Sequence, residues 1–512
     1  MPEKSDTRRL AAYLLYVTIT GGAILALELL GSRVMAPYFG TTIVIWTALI
    51  SITLIALATG YLIGGWFIDR YPKASSVHLP VVGAGLCVIF VQGARQSVLT
   101  WALGMGMHTG CIVGATILFL PPLLLLGMVS PMVIRLNLHS VKRAGRVAGS
   151  FYAVSTIGSV IGAVLTGFIL VEHISTGRLL HGIAALLVAL GVVGLVISRM
   201  NKTATTAAIA LVLGITITAS PPVDRSVVRH HARAAYGNHL VIDYRGVRFL
   251  TTDGLIHTTV KLTSGENVAP YIGCMELLPC IRPQAKTSLQ IGLGGGLVPT
   301  IFRKHYGISS DVVEIDAAVV PLARDYFGFE AAGDLYIEDG RTFFSHSEKR
   351  YDLIVLDVFS TDRQPWHLFS SEYFEIVKGH LTGDGVLALN LFGYDSGPDV
   401  RSWHSVVHTL QAVYPEVSAF YATLEPLVPG KAVNVVVFAS AQPLTPIDIE
   451  LARESTREFV QQCIDQQVDI SNLQDPLLLT DDFNPLDRMT APIFLDARRK
   501  VIKYVGQYLA VD

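Results

Sequence analysis

Charge is scarce in this sequence: 16% of its 512 residues are Asp, Glu, Lys or Arg, and 39 basic against 41 acidic side chains leave a formal net charge of -2. A chain charged so sparsely and evenly has no broad field of either sign, so nucleic acid is not an expected partner. Cysteine is scarce as well. Cys87, Cys111, Cys274, Cys280 and Cys463 form no C-x-x-C pair. Neither a zinc knuckle nor a disulfide framework is expected, and all five are read as buried, reduced thiols. No His, Cys or Asp cluster has metal-ligand spacing, so no metal is expected.

What abounds is apolar sequence. With 51% hydrophobic residues and a mean hydropathy of +0.48, the chain is too apolar for a wholly soluble protein. Apolar runs at 11–34, 44–66, 78–93, 109–133, 147–170, 179–198 and 203–219 are broken by short polar loops. Several reach the roughly 18 to 20 residues with which a helix crosses a bilayer. The first run precedes further spans and lacks a small-residue cleavage site, so it is expected to remain as a helix. The lipid bilayer is therefore an expected partner.

Basic residues orient the spans. Lys4, Arg8 and Arg9 precede the first, Arg70 and Lys73 follow the second, Lys142, Arg143 and Arg146 follow the fourth, and Arg199 and Lys202 follow the sixth; all mark a cytoplasmic side. Seven crossings would leave the C-terminal half outside. Either the Thr-rich segment 203–219 does not cross, or the stretch 95–108 hides another crossing. The expectation is a multi-pass protein of a bacterial-type inner membrane with a cytoplasmic C-terminal domain. Glu28 and Arg33 read as an ion pair or hydrogen bond between helices, and Gly60, Gly64, Gly65, Gly158 and Gly162 as sites of close helix packing.

Beyond the apolar region, Pro221, Pro222, His230, His231 and Arg233 mark a linker over 221–237 at the membrane surface. Segments 239–244, 247–252 and 255–262 alternate apolar and polar residues around Arg245-Gly246 and Asp253-Gly254, which predicts hairpins. The expected fold class is thus a multi-span α-helical membrane domain (1–220), then a small β-hairpin platform (238–287) and an α/β Rossmann-like domain (288–512) of the class I methyltransferase type.

The last domain carries the chemistry. Strand Ser288-Leu289-Gln290-Ile291 runs into Gly292-Leu293-Gly294-Gly295-Gly296 and a helical stretch. Gly292, Gly294, Gly295 and Gly296 would let a nucleoside approach the backbone and the helix N-terminus. About twenty residues on, a strand ends in Glu314-Ile315-Asp316, placing Glu314 to accept hydrogen bonds from ribose hydroxyls. Ile337-Glu338-Asp339-Gly340 and Tyr351-Asp352-Leu353-Ile354-Val355-Leu356-Asp357 bring further carboxylates to strand ends, where open α/β sheets bind ligands. Any one of these could be a turn glycine, a surface charge or a helix cap. Their joint order at the spacing of successive βα units points to a nucleoside site.

These residues resemble the spermidine synthase, or polyamine aminopropyltransferase, family in its subgroup with an N-terminal membrane domain. The resemblance covers 238–440 and rests on Asp253-Gly254, 292–296, Val313-Glu314-Ile315-Asp316, Glu338-Asp339-Gly340-Arg341, 351–357 and His367-Leu368-Phe369. It implies an enzyme with Glu314 as ribose ligand, Asp339 against the adenine amino group and Asp357 as the catalytic carboxylate beside the reacting carbon. The family cleaves the Cγ–S bond of decarboxylated S-adenosylmethionine, moves the aminopropyl group to an amine and releases methylthioadenosine. No cofactor beyond the small-molecule sulfonium substrate is implied, and no metal, because a sulfonium is already an activated leaving group. By the same resemblance a homodimer is expected.

The departures point elsewhere. The family's glycine loop reads G-G-G-D-G-G, but Gly295 stands at the acidic position; its Tyr-x-Glu becomes Tyr271-Ile272-Gly273; its D-x-x-D-P becomes Asp357-Val358-Phe359-Ser360-Thr361-Asp362; and its glutamine after the hairpin is His257. Loss of two carboxylates weakens the site for a polycation, and Gly295 is expected to make room for a substrate α-carboxylate. The reading drawn is a lyase, in which intact S-adenosylmethionine attacks its own Cγ through its carboxylate, giving homoserine lactone and methylthioadenosine. Asp357 would orient the ammonium group while Phe359 and Trp366 exclude water. The alternative is aminopropyl transfer, with Asp357 accepting hydrogen bonds from the attacking amine; a nucleoside-binding transporter or sensor is a further one, and methyl transfer the last. His257, Tyr271, Gly340 and Phe359 join the expected substrate-binding set. Leu479-Thr480-Asp481-Asp482-Phe483-Asn484-Pro485 reads as a capped turn in preference to a lid.

Overall fold

Six stretches of the N-terminal region are long and apolar enough to cross a membrane: Leu10–Phe39, Ile43–Arg70, Ala74–Leu103, Met107–Asn137, Ala144–Leu170 and Thr176–Ile197. They belong to a computed structural model that describes residues 4–40, 43–138, 144–198, 226–234, 236–359, 364–397, 400–423 and 426–509. The chain divides into two units, Met1–Val223 with Ala510–Asp512, and Asp224–Leu509.

In the first unit the helices are α1 (Lys4–Phe39), α2 (Ile43–Arg70), α3 (Ala74–Leu103), α4 (Met107–Gly127), α5 (Val129–Asn137), α6 (Ala144–Val164) and α7 (Thr176–Ile197). Helices α4 and α5 form one span, and α6 continues through a π-helical turn, Leu165–Leu170. Pro37, Pro80, Pro121 and Pro122 lie inside these helices, as membrane helices tolerate. Missing side chains set the packing distances. Gly158 and Gly162 of α6 lie against the backbone of Thr18 and Gly22 of α1, and Gly60 and Gly64 of α2 against Leu124 and Met128, the small-residue approach that substitutes for hydrophobic drive in lipid. Gly65, expected to do the same, faces open space. Glu28 of α1 lies beside Thr53 of α2. The stretch 95–108 is not a hidden crossing: 95–103 completes α3 and 104–106 turns into α4. The segment 203–219 lies outside the described residues.

The second unit opens with a four-stranded antiparallel sheet of β1 (Val228–Ala234), β2 (Gly237–Tyr244), β3 (Val247–Thr252) and β4 (Leu255–Lys261). Here the expected linker over 221–237 is corrected, because Val228–Ala234 pairs with β2; alternating backbone pairing outweighs the basic residues that suggested a surface segment. Both connecting turns have positive φ at both central residues, 51° and 80° at Arg245-Gly246 and 44° and 83° at Asp253-Gly254, the type I′ geometry that matches strand twist. Two short helices follow, α8 (Pro270–Cys274) and α9 (Leu277–Ile281).

The main body comprises β5 (Thr287–Ile291), α10 (Leu297–Ile301), β6 (Ser309–Glu314), α11 (Val319–Phe327), β7 (Leu335–Ile337), α12 (Gly340–His346), β8 (Tyr351–Leu356), α13 (Ser371–Gly379), β9 (Leu381–Tyr394), α14 (Arg401–Val413), β10 (Glu416–Ala422), β11 (Ala432–Ser440), α15 (Arg457–Asp465), β12 (Gln467–Val468) and α16 (Leu486–Leu509). Its sheet runs β12-β10-β11-β9-β8-β5-β6-β7. Strands β5 to β9 pair in parallel, and β11 joins β9 antiparallel. The central strands are buried on both faces, with Leu289, Ile354, Leu387 and Leu389 in one core and Leu353, Val355, Val386 and Ala388 in the other, which is why they read as unbroken apolar runs. This is a Rossmann-like sheet of the methyltransferase type. Because the chain moves from β5 outward to β6 and then back to β8 on the other side, the crevice for a ligand opens at the C-terminal end of β5.

One expectation about cysteine fails. Cys274 of α8 and Cys463 of α15 form a disulfide with Cα atoms 6.0 Å apart, across 189 residues of sequence. Cys87, Cys111 and Cys280 are free. Sequence spacing could not reveal the bridge, because the two helices meet only in the folded unit.

Candidate active site

At that crevice lies a cleft of about 680 Å³, walled by the C-terminal ends of β5, β6, β7 and β8, the β-hairpin platform, and one face of α16. The backbone builds its floor. Gly292 has φ +84°, and any side chain on it would strike the carbonyl of Asp357, so β5 and the end of β8 approach to a distance only glycine allows. Gly294, Gly295 and Gly340 line the cleft, whereas Gly296 does not; its bare Cα starts α10 beneath the ring of Phe329. The N–H of Gly295 donates to Thr258 Oγ1 at 2.8 Å, and a side chain at 295 would run into the Thr258 methyl group. The expected extra room at Gly295 is therefore taken by Thr258.

Three carboxylates stand along the strand ends. Glu314 is buried, with Oε2 accepting from the N–H of Leu293 at 2.8 Å and Oε1 from that of Asp316 at 2.9 Å. Burial pushes its carboxyl up, and the two backbone donors offset part of this. Asp339 caps α12, its Oδ1 accepting from the N–H groups of Arg341 at 2.9 Å and Thr342 at 3.2 Å, while Oδ2 accepts from His367 Nε2 at 2.9 Å. The His367 contact, above all, holds this carboxyl below its usual range.

Asp357 ends β8 and is held from two sides. Tyr271 donates its hydroxyl to Oδ2 at 3.1 Å and Asn390 its amide to Oδ1 at 2.9 Å; Asn434 in turn donates to Asn390 Oδ1 at 2.9 Å. Burial pushes Asp357 up to about 6 and Tyr271 well above its ordinary value. His257 also lines the cleft, with Nε2 buried and without a hydrogen-bond partner among the described residues. Burial pushes it down to about 4, so the ring is neutral at pH 7. Phe359 faces Phe494 of α16 edge-on at 6.2 Å. Residues 360–363 of the expected gate lie outside the described residues.

Several lining residues escaped the sequence reading. His239 of β2 bonds Thr252 Oγ1 at 2.9 Å and Asp316 Oδ2 at 2.8 Å, forming a buried pair beside the glycine loop. Phe494, Ala497, Lys500 and Val501 bring α16 to the cleft. Asn390 and Asn434 did leave a signal, each being a lone amide inside an apolar strand; nothing local marks Lys500. The segment expected to be a simple capped turn, 479–485, is more than that. Thr480 and Phe483 close the turn, and Asp481 and Asn484 reach out to Arg341, Ser370, Trp366 and Phe369.

Comparison with known proteins bears on this site. Residues 275–448 match the model of the spermine/spermidine synthase domain. A polyamine aminopropyltransferase of Vibrio vulnificus is 26% identical over 286 residues, 51% of this chain and 91% of the relative. One from Moorella thermoacetica is 30% identical over 212 residues, 39% of this chain and 71% of the relative. An N-terminal histidine N-methyltransferase of Emericella nidulans is 32% identical over 167 residues, but these are 31% of this chain and only 29% of that protein. The matches that span most of a relative thus favour the aminopropyltransferase alternative over the lyase. With a domain match over the glycine loop and all three carboxylates, and alignment across most of two aminopropyltransferases, the chain belongs to the spermidine synthase, or polyamine aminopropyltransferase, family.

Proposed function

We propose that this protein transfers an aminopropyl-type group from an S-adenosylmethionine-type sulfonium to an amine and releases methylthioadenosine. The observation that carries the reading is the setting of Asp357: a buried carboxylate fixed by Tyr271 and Asn390 at the crevice, next to the glycine loop. Its value of about 6 leaves it mostly ionised at neutral pH yet more basic than an ordinary carboxylate. That suits a group which aligns an attacking amine and receives its proton. As the N–Cγ bond forms, the Cγ–S bond breaks and its electron pair stays on sulfur, which leaves as a neutral thioether. In this reading Glu314 takes the ribose hydroxyls and Asp339 the amino group of the base, with Gly292, Gly294 and Gly295 along the nucleoside. The basic residues that flank the spans, Arg70 and Lys73 among them, support a cytoplasmic catalytic unit.

A second reading is favoured by one observation: the cleft that holds Asp357 is also lined by the cation Lys500. A polyamine would gain nothing from this cation, whereas the α-carboxylate of intact S-adenosylmethionine would find in it a partner of opposite charge. Attack of that carboxylate on Cγ forms an O–Cγ bond, breaks Cγ–S and moves no proton, giving homoserine lactone.

The experiment is product analysis of the detergent-purified full chain given intact or decarboxylated S-adenosylmethionine, each with and without putrescine. Methylthioadenosine formed only from the decarboxylated substrate with amine supports the transferase. Homoserine lactone from the intact substrate alone supports the second reading. Absence of methylthioadenosine in every arm defeats both.

A further inference from the structure

Residues 479–484 are remote in sequence from the cleft, yet they hold one of its walls. Asp481 receives both guanidinium nitrogens of Arg341, Nη1 at 2.7 Å, and the hydroxyl of Ser370 at 2.6 Å. The same Arg341 Nη1 donates to the carbonyl of His367 at 3.1 Å, and the His367 ring holds Asp339 Oδ2 at 2.9 Å. Asn484 spans the turn, its one amide nitrogen donating to the carbonyls of Trp366 at 3.0 Å and Phe369 at 3.3 Å. Trp366, His367 and Asp339 all line the cleft.

We propose that Asp481 and Asn484 are positioning residues that give the nucleobase subsite its preference for an amino group. The inference rests on the reading that Asp339 meets the base. A carboxylate offers about four acceptor positions. Those of Asp339 already take the N–H groups of Arg341 and Thr342 and the His367 ring, so one remains, matching one N–H of an exocyclic amino group. A 6-oxo base would set a carbonyl oxygen against that lone pair. The preference holds only while His367 stays on Oδ2, and the His367 backbone stays because Asp481 fixes Arg341 and Asn484 fixes both ends of the turn. Freed from this clamp, the ring and the carboxylate can reorient, and the distinction between amino and oxo bases fades.

The test measures binding of methylthioadenosine and methylthioinosine to the full chain in detergent, with Asp481→Asn and Asn484→Ala as variants and thermal unfolding as a folding check. Asp481 is 37% exposed in its side chain, so its isosteric change should be tolerated by the fold. Loss of this charge-assisted contact should weaken methylthioadenosine about tenfold, leave methylthioinosine within about twofold, and raise KM with kcat little changed. Equal weakening of both nucleosides, or an unaltered preference in both folded variants, overturns the proposal. A wild-type protein that binds neither nucleoside overturns the reading of the site itself, and the clamp with it.

Discussion

The hydroxyl of Tyr271 donates to Asp357 Oδ2 across 3.1 Å, tying the short helix after the β platform to the end of β8. This bond lowers the carboxyl of Asp357 against the upward push of burial. In Tyr271→Phe that help is lost, so Asp357 should ionise at higher pH. In the proposed transfer the ionised form is the active one, so turnover should fall as pH drops through about 6 in the wild type, and this acid limb should move upward in the variant. A kcat–pH profile checks it, with a loss of about tenfold at pH 7 expected for one charge-assisted hydrogen bond; an unmoved limb would refute the role.

Asp357→Asn should abolish activity and stabilise the fold. A carboxyl held at about 6 instead of 3.8 favours folding at low pH, and this contribution is lost as pH rises through about 6. At pH 8 the ionised, desolvated group costs on the order of 3 kcal/mol. Removing the charge should raise the melting temperature at pH 8 and leave it nearly unchanged near pH 4. Equal shifts at both pH values would contradict this account.

At the glycine loop, Gly295→Asp should not simply restore an acidic grip on an amine, because its side chain collides with the Thr258 methyl group. Overpacking of this kind costs about 1–3 kcal/mol. The single variant is expected to bind methylthioadenosine more weakly, and Gly295→Asp with Thr258→Ala to recover most of the loss. Calorimetric titration of both proteins reads the difference.

Lys500→Glu reverses the charge of a side chain that lines the cleft. The side chain is exposed, so solvent screens it and the effect is modest. A several-fold lower KM for putrescine is expected with decarboxylated substrate, while any lactone formation from intact S-adenosylmethionine declines. Steady-state kinetics at low and high salt check the sign and its electrostatic origin.

The bridge between Cys274 and Cys463 joins α8, which carries Tyr271, to α15, whose Phe459 ring sits against Gly273. Closing so long a loop restricts the unfolded chain by several kcal/mol in the entropic account. Reduction, or Cys463→Ser, should lower the melting temperature of the catalytic unit and loosen α8, reducing kcat through Tyr271. Alkylation of the denatured protein should tag three cysteines before reduction and five after it.

What could be read in the sequence follows from the range over which each signal acts. Six of the seven apolar runs, the two hairpin turns and the β5–Gly292 unit are local patterns, and their elements stand close to where periodicity put them. Carboxylates such as Glu314 and Asp357 were legible because an apolar strand ended on them. The relationships that shape the rest of the cleft are not local. His239 meets Asp316 across 77 residues, Arg341 meets Asp481 across 140, and the cysteines pair across 189. No window of sequence contains both partners. The basic cluster before Asn238 misled for a related reason: strand β1 is defined by its pairing with β2, which composition does not display.

The placement of α16 and the 479–484 clamp also sets the order in which the protein becomes competent. A ribosome releases the membrane helices first, then the glycine loop and the three carboxylates, and only after them Asp481, Asn484, Phe494 and Lys500. Nascent chains that stall before that point carry the floor and the platform side of the cleft but lack the side that α16 supplies. The cleft is complete only once Asp481 has met Arg341 and α16 has reached its place along it.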